Sequence, residues 1–186
     1  MLSVCCVADI FAYIAAAAAV HELGHLVVLR SLGGRVTKIS FQAMGLKIDY
    51  RGNGMSYGAE AAAAAGGLIA GAALTGIACL LGRAFRWEGW YMLGGASAVL
   101  TVFNMLPSSA MDGGRIISML MRRTAELEKA ELICTFLDGI TSLTVMALGL
   151  AIWMYTGTNP TLFAAGVWLF ANFVLSKLSI RYKITQ

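Results

Sequence analysis

Charge is scarce in this sequence. Only 13% of its 186 residues are Asp, Glu, Lys or Arg, 59% are hydrophobic, and the mean hydropathy is +0.74. So few charges exclude an ordinary water-soluble domain, and the solvent is expected to be mostly lipid. Lys and Arg are absent from Met1 to Ile10. The basic n-region of a signal peptide is therefore lacking, and the first apolar stretch is expected to stay as a span. Cys5, Cys6, Cys79 and Cys134 show no CxxC spacing, which argues against a thiolate metal site or a disulfide framework and for buried free thiols. The net charge of +4 is scattered through short loops without a basic face interleaved with aromatics, so nucleic acid is not an expected partner. Repeats are lacking too, as are low-complexity linkers apart from two alanine runs.

What is present is apolar and segmented. At this length one domain over 1–186 is expected, and a helix needs about 20 apolar residues to cross a bilayer. Five apolar segments run over roughly 4–29, 60–82, 91–106, 132–155 and 161–178, so the expected fold is an all-α polytopic membrane protein with about five transmembrane helices. Residues 30–59 alternate polar and apolar positions (Val36 to Phe41, then Leu46 to Tyr50) and carry several glycines. That pattern predicts a small β-hairpin-like insertion between the first two helices. The third segment stops at Asn104-Met105-Leu106-Pro107, where proline removes a backbone donor and breaks the helix. Broken backbone at membrane depth requires protein or water around it. Residues 112–131 mix apolar and charged positions, as a short amphipathic surface helix does.

With five spans, every basic residue except Arg83 and Arg86 falls on one side. Positive residues accumulate on the cytoplasmic face, so the N-terminus is expected outside and the C-terminus in the cytoplasm.

The strongest chemical signal is His21-Glu22-Leu23-Gly24-His25, an HExxH sequence formed by the only two histidines of the chain. Side chains four residues apart on a helix project from one face, so the two imidazoles can share one zinc, and the intervening Glu22 is placed to act as general base. The motif sits at the end of the apolar segment Ile10 to Leu29. Ionisable groups in lipid cost roughly 2.5–3.5 kcal/mol each for Asp, Lys or Arg, and so mark function by default. A hydrolytic zinc keeps three protein ligands, and the third has candidates in Asp9, Asp112 and Asp138. Asp9 precedes His21 by about 18 Å of helix and cannot reach the same ion. Asp112, after the helix break, and Asp138, entering the fourth span, lie on the same predicted side as HELGH, and spacing alone leaves both open.

HELGH near the cytoplasmic end of one span, followed by Asn104-x-x-Pro107-x-x-x-x-Asp112-Gly113 at a later helix break, resembles the site-2 protease family of intramembrane zinc metalloproteases. The resemblance covers a catalytic core of about 4–122, with two additional C-terminal helices over about 132–178. It implies one zinc per chain held by His21, His25 and Asp112, with Glu22 as catalytic base. It also implies a substrate-backbone or oxyanion contact from Asn104, and a water-accessible substrate site at the break near Pro107 and Gly113. Asp138 then ranks below Asp112, as a paired or interface-facing carboxylate. Two departures stand out. Many members carry a second proline shortly before the aspartate, where this chain has Ser109-Ala110-Met111. The second span has Gly66-Gly67 and Gly71 where members often have Gly-Pro; small residues there allow close helix approach, whether for packing or for substrate. Members with a PDZ or CBS domain have many more residues than these 186, so a catalytic core alone is expected.

The function implied is cleavage of a transmembrane or membrane-proximal segment of a partner. By resemblance, that partner is a membrane-tethered transcription regulator, a sporulation sigma-factor precursor or an anti-sigma factor, in the bacterial cytoplasmic membrane, with regulatory membrane proteins as further partners. The active site is expected nearer the cytoplasmic side. Segment 36–50 is suited to pair with an unwound substrate by strand addition. The competing reading is a metal-binding membrane transporter without hydrolysis. It needs no Glu22 and would ordinarily show polar residues across several spans and an inverted repeat, neither of which is found.

Overall fold

A computed structural model describes the backbone of residues 2–42, 45–51 and 56–184, and the side chains of 8–34 and 56–175. The thiols of Cys5 and Cys6 and the side chains of segment 36–50 lie outside these residues; Cys79 and Cys134 are free thiols, but exposed and half-buried rather than buried. The chain divides into two compact units, Met1–Met105 and Leu106–Gln186.

The first unit opens with α1 (Leu2–Ser31), a run of apolar and alanine residues that carries HELGH near its C-terminal end. The helix ends because Gly33 takes the left-handed conformation at φ +80°, which an L side chain resists. Its N–H and that of Gly34 return to the carbonyls of Arg30 and Leu29. Two strands follow, β1 (Arg35–Gln42) and β2 (Gly45–Arg51). They are antiparallel, Ile39 opposite Ile48 and Phe41 opposite Leu46, with a register shift between Val36 and Lys38. Helix α2 (Tyr57–Phe85) is capped by Ser56, whose side chain accepts from the Ala59 N–H, and it stops at Arg86, which is left-handed at φ 51°. Helix α3 (Glu88–Asn104) follows at once. In this unit α1 packs on α2 and α3, and α2 on α3.

The second unit holds α4 (Asp112–Thr124), α5 (Leu127–Thr156) and α6 (Thr161–Ile184), with α4 and α6 both packed on α5. Helix α4 is short and polar, with Asp112 in its first turn and Arg122 and Arg123 in its last, each complementing the helix dipole. The break expected around Pro107 is the seven-residue gap between α3 and α4.

Among the described residues, three helices are long and apolar enough to cross a membrane: Ala8–Ser31, Tyr57–Phe85 and Leu127–Thr156. On that measure three of the about five expected spans are found among the described residues. Helix α3 has 17 residues, about 26 Å at 1.5 Å per residue against a hydrocarbon core of about 30 Å, and the described part of α6, Thr161–Leu175, is likewise short. Burial follows the pattern of a helical membrane protein. Phe11, Ile69, Leu80, Val99, Leu132 and Phe136 are exposed, while His21, Ser97, Thr101, Ser108, Asp112, Asp138 and Ser142 are buried. In water that distribution would be inverted.

Candidate metal centre

His21 and His25 lie one turn apart on α1, and their rings meet edge to face with centroids 4.8 Å apart and planes at 83°. The two Nε2 atoms stand 3.1 Å from each other. Two imidazoles on one tetrahedral zinc, with Zn–N about 2.0–2.1 Å, hold their nitrogens about 3.3 Å apart. The pair is therefore close to the spacing zinc requires. His21 is buried, and Glu22 and His25 are half-buried. One ligand atom from each of the three lies within 4.8 Å of the others.

The ring of His25 is oriented from the neighbouring helix. Its Nδ1 is 2.9 Å from the Ala63 carbonyl, which only an Nδ1–H can satisfy, so the lone pair rests on Nε2, toward His21. The Gly67 N–H also approaches Nδ1, at 3.3 Å. An Nδ1 that donates cannot accept as well, and the shorter contact governs. A metal-ligating histidine typically gives its other N–H to a backbone carbonyl in this way.

Helix α2 approaches α1 closely because both are stripped to glycine at the contact. A Cβ on Gly24 would overlap the Gly66 carbonyl and the Ala70 side chain, and a Cβ on Gly66 would meet Gly24 and Val28. A Cβ on Gly67 would overlap the imidazole of His25 and come within 2.8 Å of His21 Nε2. One on Gly71 would overlap Thr101 Oγ1. The small residues of the second span thus shape the space that the two imidazoles fill. Gly24→Ala is expected to lower stability by about 1–2 kcal/mol, because collision of two backbones outweighs the ~1 kcal/mol gained in helix propensity. Thermal unfolding in detergent measures it, and an unchanged or raised midpoint would contradict this packing.

Behind His21 the interior is polar. The Ser97 hydroxyl donates to the Gly71 carbonyl at 2.9 Å and Thr101 donates to the Ser97 carbonyl at 2.7 Å, with both residues buried. Neither serine nor threonine stands out in the sequence, since such residues are common in apolar helices. Asn104, the last residue of α3, is half-buried and donates from its amide to the Leu100 carbonyl at 3.0 Å.

The remaining predicted site residues belong to the second unit. Asp112 is buried at the first position of α4, with Arg115 Nη1 3.6 Å from its Oδ1. Gly113 and Gly114 follow it, also buried. The Pro107 carbonyl accepts from Thr141 Oγ1 at 3.4 Å. Asp138 is buried in α5, and both of its carboxyl oxygens accept hydrogen bonds from the Ser108–Ser109 segment. The His-Glu-His group and the Asp112 turn are each formed within a unit.

No protein-family model and no curated protein matches the sequence. Among solved structures, the chain is similar to the Site-2 Protease from Methanocaldococcus jannaschii, with a TM-score of 0.63 at 19% identity, over 90% of this chain and 77% of that one. The chain has the site-2 protease fold. At that identity the likeness is one of backbone, so the chemistry rests on the side chains described above. Within the site-2 protease fold of this chain, a glycine-rich neighbouring helix packs against the His21 and His25 side of α1, and the donors present, two imidazoles and a carboxylate, suit zinc.

Proposed function

We propose that the chain is an intramembrane zinc metalloprotease that cleaves a transmembrane or membrane-proximal segment of a partner protein. The observation that carries this reading is the His21–His25 pair. Two buried or half-buried imidazoles face each other through Nε2 at 3.1 Å, with a carboxylate beside them, inside a helix apolar enough to cross a membrane. Such a group has no packing rationale in lipid and fits a metal ion. The site-2 protease fold supports the same conclusion.

In this proposal His21, His25 and Asp112 hold one zinc, which, when bound, supplies a Lewis acid and lowers the pKa of water to about 7. Glu22 takes the proton as the water attacks the scissile carbonyl, and passes it to the leaving amine. Asn104 contacts the substrate backbone or the developing oxyanion. Pro107, in the irregular segment, and Gly113, in the first turn of α4, line the substrate's path, and β1 and β2 offer an edge to an unwound substrate. The HELGH end of α1 lies near the surface, since His25 precedes Arg30 by about 7.5 Å of helix. Counting α3 and α6 as short or tilted spans gives five, with the basic loops and C-terminus cytoplasmic. The substrate class we favour is a membrane-tethered transcription regulator, such as a sigma-factor precursor or an anti-sigma factor in a bacterial membrane.

The deciding experiment pairs zinc content with cleavage of a co-expressed membrane-tethered reporter. The purified wild type is expected to bind one zinc, and Asp112→Asn, which keeps an oxygen but not its charge, to weaken zinc by about tenfold or more and to cut correspondingly less. Unchanged zinc binding in Asp112→Asn would remove it from the ligand set, and a wild type without zinc would end the metalloprotease reading.

A further inference from the structure

Asp138 is a buried carboxyl group of the second unit that the proposed mechanism does not use. It sits on α5, 5% exposed. Its Oδ1 accepts from the Ser108 hydroxyl at 2.6 Å and from the Ser109 backbone N–H at 3.1 Å, and its Oδ2 accepts from the Ser109 hydroxyl. One turn further along the same helix, Thr141 donates to the Pro107 carbonyl at 3.4 Å. Three consecutive residues of the irregular segment are thus tied to one face of α5. A buried carboxyl group is costly unless its oxygens are occupied by donors, and here the donors come from the segment that leads into Asp112.

The tie extends to Asp112 through short covalent and packed steps. The Met111 N–H donates to the Ser108 carbonyl at 2.8 Å, closing a turn directly before α4. A Cβ on Gly114 would overlap the Ser108 carbonyl, so the first turn of α4 rests on the Ser108 peptide. Fixing Ser108, itself 1% exposed, therefore fixes the start of the helix whose first residue is Asp112. Prolines in such a segment restrict it by locking φ. This chain has Ser109-Ala110-Met111 at those positions, and the restriction comes instead from hydrogen bonds to another helix.

We propose that Asp138 is a positioning residue: it clamps Pro107–Ser109 onto α5 and so holds the Asp112 carboxylate ready to bind metal. The proposal rests on the reading of Asp112 as a zinc ligand. It assigns α5 a part in the chemistry, supporting the metal through a hydrogen-bonded shell beyond the ligands themselves, where a lost partner typically costs 10- to 100-fold in metal affinity.

The test is zinc affinity, read by competition with a chromophoric chelator on the full-length protein in detergent. Asp138→Ala is expected to weaken zinc by about 10- to 100-fold, and Ser108→Ala/Ser109→Ala, which leaves α5 untouched, by a similar factor. The serine variant carries the test if Asp138→Ala does not fold. Asp138→Asn, which keeps an acceptor for the Ser109 N–H, is expected to recover most of the affinity. The decisive arm is Asp138→Ala in an Asp112→Asn background. A clamp that acts through Asp112 predicts no weakening beyond that of Asp112→Asn alone, whereas losses that multiply would show a general effect on the fold and overturn the proposal. Wild-type affinity in both Asp138→Ala and the serine variant would overturn it as well, with the zinc reading intact. Wild-type affinity in Asp112→Asn is a different failure: it removes the ligand assignment and the clamp together.

Discussion

Glu22→Gln is expected to slow reporter cleavage by about 100- to 10,000-fold while the protein still binds its zinc. A positioned general acid–base contributes about that factor. Glutamine has the shape of glutamate and can hydrogen-bond in its place, but its amide cannot take a proton from water. Glu22 follows His21 directly and lies within 4.8 Å of both imidazoles, measured between potential ligand atoms. It is thus close enough to serve the same water, and it is only half-buried, as a group that must exchange protons requires. Zinc content separates chemistry from structure: a dead variant that retains zinc identifies the base, while one that loses zinc makes Glu22 a ligand or a structural group. A transporter built on the same histidines would tolerate the change, so undiminished cleavage, or metal uptake in place of cleavage, would sink the protease mechanism.

The parts of this site that could be read from the sequence are those set by local geometry. Four-residue spacing on a helix is sufficient to bring His21 and His25 to one face, and their surroundings, apolar on either side, remove the ordinary explanation of a solvated motif. Helix breaks are also local, so the stop at Asn104 before Pro107 was legible. Span counting was less so. Apolar composition marks α3 and α6 as clearly as the longer helices, but composition does not determine where a helix ends, and α3 is confined to 17 residues by Trp87 on one side and Met105 on the other. Contacts that depend on tertiary packing were not legible at all. Nothing in Ala63 suggests that its carbonyl orients His25, and the pairing of Asp138 with Ser108 and Ser109 joins residues about 30 positions apart. A carboxylate in an apolar span announces a partner but not its identity. Asp138 therefore stood beside Asp112 as a candidate ligand on spacing alone; in the structure both oxygens of Asp138 accept from Ser108 and Ser109, while Asp112 starts α4 with Arg115 beside it.

Gly67→Ala tests the site from the opposite helix, and its expected effect on zinc is a loss of at least about a hundredfold, more than the removal of an outer hydrogen bond typically causes. The reason is steric. The added methyl would occupy the volume of the His25 ring at Nε2 and Cε1, and would stand 2.8 Å from Nε2 of His21. These atoms cannot yield cheaply. His25 is tied through Nδ1 to Ala63, one turn before Gly67 on the same helix. Helix α2 cannot retreat as a whole without parting Gly24 from Gly66, where the two backbones are in contact. The ring must therefore rotate away, taking Nε2 out of the 3.1 Å pairing with its partner. Ala is the better helix former by about 1 kcal/mol, so the variant is expected to fold and to retain helical content, and zinc affinity becomes the informative readout. Gly76 provides the control, because it lies on the same helix with nothing within 4 Å of an added Cβ; Gly76→Ala should bind zinc as the wild type does. Equal zinc binding by Gly67→Ala and Gly76→Ala would mean that the imidazole pair tolerates a different arrangement, and that the glycines of α2 serve helix packing alone.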